Sequence, residues 1–254
     1  MLKRRRLVIA NWKMNPEKIS EARDIIRHIG RRIPRGLKVV ICPPFLYLGE
    51  LFSAFGRSKI SFGVQNLFWK DKGAFTGEIS PIMVKNAGGT FSIVGHSEVR
   101  ALGETNQTVN KKILAAVRAG LSVILCVGEL GRDEHGHYFG ALKQQITESL
   151  GKISREFIPQ VIIAYEPLWA IGKKGSGAIT PRDLHQTSLF IRKVIHDHCG
   201  KGAGGVSILY GGAVAPENAS KLITEGEVEG LLVGHESLKP EHFVAILKAV
   251  TDSF

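Results

Sequence analysis

Eight short apolar runs, separated by stretches with helical periodicity, constrain the fold of this chain more than any other feature of its sequence. Each run is rich in Val, Ile or Leu. A continuous apolar run of this length is typical of a strand that is buried on both faces of a parallel sheet. The runs span residues 7–10, 38–41, 60–64, 91–94, 122–127, 161–165, 206–210 and 230–233.

The segments between these runs carry the signals of helices. Residues 105–120 place their apolar side chains on one helical face. Thr180 is a favourable N-cap, and Pro181 follows it at the first helical position. Two more helices are expected to open in a similar way at Ala215 and Lys239, each of which precedes a Pro-Glu pair.

The alternation of strands and helices predicts an α/β fold around a parallel sheet. A doubly wound sheet is the alternative, but eight units within 254 residues favour a closed (β/α)8 barrel. No linker or low-complexity segment divides the sequence. We therefore expect residues 1–254 to form a single barrel domain with a parallel eight-stranded core.

The chain is strongly basic, with 34 Lys and Arg residues against 23 acidic residues and a net charge of +11. Such a charge either attracts an anionic partner, such as nucleic acid or a small phosphorylated substrate, or reflects a solvated basic surface. The basic residues are spread along the chain and are not interleaved with aromatic residues as in single-strand binders. We therefore expect no nucleic-acid partner.

Cys42, Cys126 and Cys199 are odd in number and widely spaced, which favours neither a disulfide framework nor a zinc site. No apolar run approaches the ~20 residues that a membrane-spanning helix needs. The apolar stretch after the basic N-terminus is also too short for a signal-peptide core. These features predict a cytoplasmic protein with reduced thiols, no metal and no membrane association.

Polar side chains that can carry chemistry follow the predicted strands. Asn11 and Lys13 follow the first strand, His96 and Glu98 the fourth, and Glu166 the sixth. In a (β/α)8 barrel the carboxyl ends of all strands meet at one mouth, where active sites lie. This clustering predicts an enzyme.

Glu166 is the candidate general base. Burial disfavours the charged form of a carboxylate. A glutamate at the end of a buried strand is therefore expected to have either a charged or hydrogen-bonding partner or a catalytic role. Pro167 restricts the backbone of Glu166 and hence the direction of its side chain. Apolar bulk and then glycine follow, as in a lid that excludes water. The predicted lid comprises Pro167, Leu168, Trp169, Ala170, Ile171 and Gly172.

Taken singly, Lys13 is more typical of a solvated loop lysine than of an anion-binding residue, and His96 is more typical of a structural residue at a strand end than of a catalytic one. Placed together at one mouth, they support a reaction. Lys13 can hold an anion, His96 can polarise a carbonyl by hydrogen bonding, and Glu166 can remove a proton from the adjacent carbon.

Three motifs in order, N-W-K-M-N at 11–15, S-I-V-G-H-S-E-V-R at 92–100 and A-Y-E-P-L-W-A-I-G at 164–172, are similar to signatures of the triosephosphate isomerase family. The resemblance extends from residue 7 to about residue 250. It implies a TIM barrel that interconverts dihydroxyacetone phosphate and D-glyceraldehyde 3-phosphate through an enediolate, without cofactor or metal. The implied setting is glycolysis and gluconeogenesis.

The same resemblance implies roles for individual residues. Glu166 would be the general base and His96 a neutral electrophile, while Lys13 and Asn11 would contact the substrate. Glu98 would pair with Lys13. In addition, Arg100, Cys126 and Glu129 would be structural.

The implied phosphate site consists of Asn11, Lys13, Gly172, Ala213, Gly234 and His235. Two of these positions depart from the family pattern, because Ala213 replaces a usual serine and His235 replaces a usual glycine. Residues 173–177, which trail the lid, also depart from the pattern and are about two residues longer. We expect weaker phosphate binding than in a serine-bearing variant.

The loop after the third strand carries Phe75, Thr76 and Gly77 at its tip. It is either a mobile surface excursion or, as the resemblance implies, a loop that inserts into a second subunit near Lys13. We favour a homodimer.

Two other functions fit parts of the sequence. One is a different phosphate-binding barrel isomerase or an aldolase, although a Schiff-base aldolase would need a lysine where strand six offers Glu166. The other is a basic barrel that binds nucleic acid or protein without turnover, which leaves Glu166, His96 and Lys13 unexplained.

Overall fold

The structure, a computed structural model, describes residues 6–172 and 178–253 and shows a closed parallel barrel. Strand β1 pairs with both β2 and β8, which closes the sheet, and every neighbouring pair is parallel. The predicted barrel is therefore confirmed. The strands are β1 Arg6–Asn11, β2 Leu37–Cys42, β3 Ile60–Val64, β4 Phe91–Val94, β5 Ser122–Val127, β6 Val161–Tyr165, β7 Ser207–Tyr210 and β8 Gly230–Val233.

Helices cover the outside of the barrel and connect successive strands. The predicted start at Thr180 is confirmed, because its hydroxyl accepts a hydrogen bond from the Asp183 backbone N–H and caps a helix that begins at Pro181. The helices are α1 Ile19–Gly30, α2 Phe45–Phe55, α3 Pro81–Asn86, α4 Ser97–Ala101, α5 Asn106–Arg118, α6 Tyr138–Ser149, α7 Pro181–Cys199, α8 Ala219–Thr224 and α9 Pro240–Asp252.

The predicted helix start at Ala215 is wrong, since α8 begins later, at Ala219. The Asn218 side chain explains the difference. Its amide oxygen accepts a hydrogen bond from the Ala215 N–H at 2.8 Å, and its amide nitrogen donates to the Ala213 carbonyl at 2.9 Å. These two bonds hold residues 213–218 in a loop and turn, so the Pro-Glu pair lies in this turn and not in the first helical turn.

The core has two layers because alternate strand residues point to opposite faces of the sheet. Val8, Ala10, Val39 and Ile41 belong to the layer between strands and helices. A second, smaller cluster fills the barrel interior and consists of Leu7, Ile9, Val40, Cys42, Phe91, Ile93, Ile124, Cys126, Ala164, Leu209 and Leu232. Burial on both faces explains why the strands read as continuous apolar runs.

The seam that closes the barrel depends on one glycine. A Cβ atom on Gly230 would lie 1.8 Å from the Leu7 carbonyl oxygen, so only glycine lets β8 approach β1. All eight strands then run in the same direction and end at the same mouth, which holds the candidate site. Among residues 6–172 and 178–253, no helix combines the length and the apolar character that crossing a membrane requires.

Candidate active site at the C-terminal mouth of the barrel

Lys13 and Asn11 reach the site from the end of β1. The Asn11 side-chain oxygen accepts a hydrogen bond from the Lys13 backbone N–H at 3.1 Å, and Lys13 has a positive φ of 51°. Gln65, which follows β3, donates to the Lys13 carbonyl at 2.7 Å. The ammonium lies 2.5 Å from Glu98, the carboxylate predicted to pair with it. Asn11 and Gln65 therefore fix the Lys13 backbone, and Glu98 holds the ammonium at the mouth.

His96 is oriented by the helix that follows it. Its Nδ1 atom accepts a hydrogen bond from the Glu98 backbone N–H at 3.2 Å as the N-cap of α4. A ring nitrogen that accepts carries no proton, so the imidazole is neutral and its proton is on Nε2. Nε2 lies 3.4 Å from the nearer oxygen of Glu166. His96 therefore presents a neutral N–H donor to the space beside the candidate base.

Glu166 is buried, with only 3% of its surface exposed, directly after β6. Desolvation raises the pKa of its carboxyl group, and nearby His96, Cys126, Ser97 and Lys13 act in the opposite direction without cancelling it. The Oε2 atom receives no hydrogen bond of normal geometry from the described residues. A carboxylate with a raised pKa and an unsatisfied oxygen is a stronger base than an exposed glutamate and has the properties of a general base.

The carboxylate needs the glycine that follows β7. A Cβ atom on Gly211 would lie 2.8 Å from the Glu166 Cγ atom, so the absence of a side chain there leaves room for the base. The backbone also fixes Glu166, whose N–H donates to the Val127 carbonyl at 2.8 Å. Glu166 lines the cavity at the mouth of the barrel, which has a volume of about 1070 Å³ and is also lined by Lys13 and His96.

The start of the lid is anchored on Glu129. One carboxylate oxygen of Glu129 accepts hydrogen bonds from the Trp169 indole N–H at 2.8 Å, the Tyr165 hydroxyl at 2.8 Å and the Arg132 Nε at 3.1 Å. The Arg132 guanidinium also lies 5.1 Å from the centre of the Trp169 ring, a cation–π distance. Glu129 was predicted to be structural. No sequence pattern indicated that Arg132 would join it, because the loop after β5 that carries both residues meets the lid only in the folded barrel.

Beyond this anchor the lid reaches the cavity. Leu168 to Ala170 form a short 3-10 helix, and Leu168, Ile171 and Gly172 all line the cavity. The Ile171 side chain is 41% exposed, so it does not close over the mouth. Gly172 has a φ of 72°, a conformation that favours glycine. The departures predicted at 173–177 lie outside the described residues.

The loops after β7 and β8 form the far side of the same cavity. Gly212, Ala213, Gly234 and His235 all line it, together with Lys13. His235 begins a short 3-10 helix and is not among the residues with positive φ, so its backbone accommodates a side chain where a glycine was expected. Ala213 presents no hydroxyl to the cavity.

A charged group at the rim escaped sequence reasoning. Glu236 accepts a hydrogen bond from Lys239 Nζ at 3.0 Å and lies 2.5 Å from His242 Nδ1, and all three line the cavity. Burial alone raises the pKa of Glu236, but its contacts with Lys239 and His242 outweigh that effect and hold the pKa below its ordinary value. The only available sequence signal was their spacing at 236, 239 and 242 across the start of α9.

Two predicted structural residues support the site from behind. Arg100 donates to the Gly95 carbonyl and to the Asn106 side chain, each at 2.7 Å, and so braces the turn before His96. Cys126 is buried in the barrel interior, where desolvation raises the pKa of its thiol well above the ordinary value. It therefore stays protonated beside Glu166.

Known proteins match this chain over almost its whole length. The family model described as triosephosphate isomerase matches residues 6–250. The chain belongs to the triosephosphate isomerase family. The triosephosphate isomerase of Moorella thermoacetica is 41% identical over 247 residues, which cover 96% of this chain and 98% of that protein. That of Dehalococcoides mccartyi is 42% identical over 254 residues and covers 98% of both chains.

The crystal structure of triosephosphate isomerase from Bartonella henselae has a TM-score of 0.84 and 34% sequence identity, and the match covers 97% of this chain and 99% of that one. Membership of the triosephosphate isomerase family makes this chain an isomerase with the TIM-barrel fold. The resemblance seen in the three sequence motifs is thereby confirmed.

Proposed function

We propose that the chain interconverts dihydroxyacetone phosphate and D-glyceraldehyde 3-phosphate through an enediolate, as a step of glycolysis and gluconeogenesis. The observation that carries the proposal is the juxtaposition of Glu166 and His96. A buried carboxylate with a raised pKa lies 3.4 Å from the N–H nitrogen of a neutral imidazole, at the wall of an open cavity. A base and a hydrogen-bond donor so close together can act on adjacent atoms of one small substrate.

The reaction proceeds by proton transfer. The Glu166 carboxylate removes a proton from the carbon beside the carbonyl, and the electron pair of that C–H bond moves so that negative charge develops on the carbonyl oxygen. The His96 Nε2–H donates to this oxygen, and the Lys13 ammonium stabilises the charge electrostatically. Asn11 supports Lys13 through its backbone, and Glu98 holds the ammonium in place.

The second half returns the proton. The protonated Glu166 delivers it to the neighbouring carbon, while the proton of the neighbouring hydroxyl passes to the former carbonyl oxygen. The carbonyl has then moved by one carbon, and no electrons have been gained or lost. These proton transfers use only Glu166, His96 and Lys13. That the reaction needs no cofactor and no metal stays a prediction.

The lid supports this chemistry by excluding water. Closure of Leu168 and Ile171 over the cavity would deepen the desolvation of Glu166 and protect the enediolate. The opposite side, formed by Gly172, Ala213, Gly234 and His235, would receive the phosphate. Loops after strands seven and eight are a frequent phosphate site in barrels of this class.

Turnover of glyceraldehyde 3-phosphate by the purified protein tests this proposal. We expect robust conversion to dihydroxyacetone phosphate, followed through a coupling dehydrogenase that oxidises NADH. The two alternatives predict different outcomes. A barrel aldolase would cleave or condense carbon chains and would be trapped by borohydride on a lysine, whereas a binding module would show salt-sensitive binding to nucleic acid or protein and no turnover.

The proposed enzyme is a cytoplasmic homodimer whose protomer is one domain of residues 1–254. Large apolar side chains are exposed on the loops and helices that follow β1, β2 and β4, where Met14 is 92%, Leu46 88% and Leu102 89% exposed. We infer that these side chains belong to one protein–protein interface, where large exposed apolar surfaces are typical. Phe75, in the predicted dimer loop with Thr76 and Gly77, packs against Phe68 with ring centres 4.7 Å apart. This packing supports an ordered loop tip that could enter a partner.

Leu46→Glu is expected to dissociate the dimer, because burial of an unpaired charge in an interface is strongly unfavourable. Sedimentation at micromolar concentration should show a dimer for the wild type and a monomer for the variant. Leu189→Glu is the matched control, since Leu189 is 51% exposed on α7, away from those loops. A wild-type monomer would remove the dimer proposal.

A further inference from the structure

His235 occupies an unusual place at the phosphate side of the cavity. Its side chain is exposed and lines the cavity directly after Gly234. A Cβ atom on Gly234 would lie 3.8 Å from the Lys13 Cε atom, so this loop runs alongside the Lys13 side chain. The imidazole of His235 is therefore attached to the part of the wall next to the ammonium.

The carboxylate nearest in sequence does not engage His235. Glu236 is committed to Lys239 and His242, with contacts of 3.0 Å and 2.5 Å. Within the described residues, 6–172 and 178–253, the His235 side chain forms no hydrogen bond and no ion pair. The imidazole is thus available to a ligand that enters the cavity.

Most other basic side chains around the cavity already face an acid. Lys13 pairs with Glu98, while Lys239 and His242 share Glu236. A dianionic phosphate in this region therefore meets basic groups whose charge is already partly neutralised. It also finds no hydroxyl group at position 213, where alanine replaces the usual serine. The ionisable groups that line the cavity from all surrounding elements are Lys13, His96, Glu98, Glu166, Glu217, His235, Glu236, Lys239 and His242.

We propose that the His235 imidazole binds the substrate phosphate directly and so replaces the hydroxyl contact that Ala213 lacks. The inference rests on the proposed function for the identity of the ligand, and it assigns to this chain a side-chain contact at a position where a glycine was expected. Because the contact is solvent-exposed, its effect is modest and concerns binding more than chemistry.

Calorimetric titration with inorganic phosphate tests the contact without any turnover. His235→Ala is expected to weaken phosphate binding about two- to fivefold, the effect of one exposed charged contact. His198→Ala is the matched control, because His198 is exposed in the last turn of α7, at the opposite end of the barrel. Equal phosphate affinity in the wild type and His235→Ala would overturn the proposal, whatever rate the turnover assay gives.

Kinetics distinguish a phosphate contact from a structural role. A contact made equally in the ground and transition states changes KM and leaves kcat almost unchanged. His235→Ala should therefore raise KM for glyceraldehyde 3-phosphate about two- to fivefold, whereas the slow turnover of glyceraldehyde, which has no phosphate, should not change. An equal loss with both substrates would show that His235 acts only through the structure of its loop.

Ala213→Ser provides the complementary test. Restoring a hydroxyl is expected to lower KM about two- to fivefold, by one additional hydrogen bond to an exposed anion, and an unchanged KM would count against weakened phosphate binding at this loop. Since both side chains would serve the same phosphate, the serine should gain more in the His235→Ala background than in the wild type. Strict additivity would argue that the two positions act on different groups.

Discussion

Glu166→Asp is expected to reduce kcat roughly 100-fold or more, because a base withdrawn by one methylene no longer reaches the carbon proton. The variant keeps the charge and loses only the reach. Gly211, which lies behind Glu166, has no side chain that could shift the shorter carboxylate toward the substrate. Measurement of kcat and KM with glyceraldehyde 3-phosphate checks the prediction, with KM expected to change much less than kcat.

Glu166→Gln removes the basic carboxylate and keeps the shape of the side chain. The amide fills the same volume but cannot accept the carbon proton, so turnover should fall roughly 100- to 10,000-fold. Stability should not fall with it. Because burial raises the folded-state pKa of Glu166 above its unfolded value, the charged carboxylate destabilises the folded protein once the pH exceeds the unfolded pKa. The amide should therefore stabilise the protein at neutral pH and lose this advantage in acid.

The pair of measurements makes the assignment specific. An active Glu166→Gln variant would show that another group removes the proton. A variant that is both inactive and less stable at neutral pH would contradict the raised pKa inferred from the buried position of Glu166. Thermal melts at about pH 4 and pH 7.5 beside the activity assay distinguish these outcomes.

His96→Asn is expected to reduce kcat roughly 100- to 1,000-fold, the typical effect of removing one donor to a developing oxyanion. Asparagine is chosen because its side-chain oxygen can take the place of Nδ1. It can then accept the Glu98 backbone N–H and keep the N-cap of α4, since asparagine is a good capping residue. The substitution thus removes the Nε2–H donor and leaves the local fold in place.

His96→Gln is the matched comparison, because its longer amide can return an N–H donor to the position of Nε2. We expect it to recover part of the activity that His96→Asn loses. If the two variants were equally active and close to the wild type, the oxyanion would be stabilised by Lys13 without help from His96. Stopped-assay kcat values for all three proteins settle the comparison.

The barrel and the location of its site could be predicted from the sequence for a physical reason that is local. A strand buried on both faces must be apolar along its length, so each strand was visible as a run, and the ends of β1, β2 and β7 differ from prediction by a single residue. Once the sheet is parallel and closed, every strand ends at one mouth. Asn11, His96 and Glu166 had to come together there.

The sequence was a poorer guide wherever a side chain fixes the conformation of a loop through hydrogen bonds. The start of α8 was misplaced because Asn218 clamps Ala213 and Ala215, a use of an amide that no helix-start pattern encodes. The role of Glu129 as the anchor of Trp169 could not be predicted either. That contact joins residues from two loops that only packing brings together.

The sequence by itself determined the fold class, the mouth at which chemistry occurs and the residue types available there. Only the tertiary structure decided the protonated nitrogen of His96, through the Glu98 N–H, and the raised pKa of Glu166, through its burial. It also decided that Glu236 engages Lys239 and His242 while His235 remains available to a ligand. The hydrophobic pattern shows which side of each segment is buried, whereas these properties depend on distances between particular atoms in the folded chain.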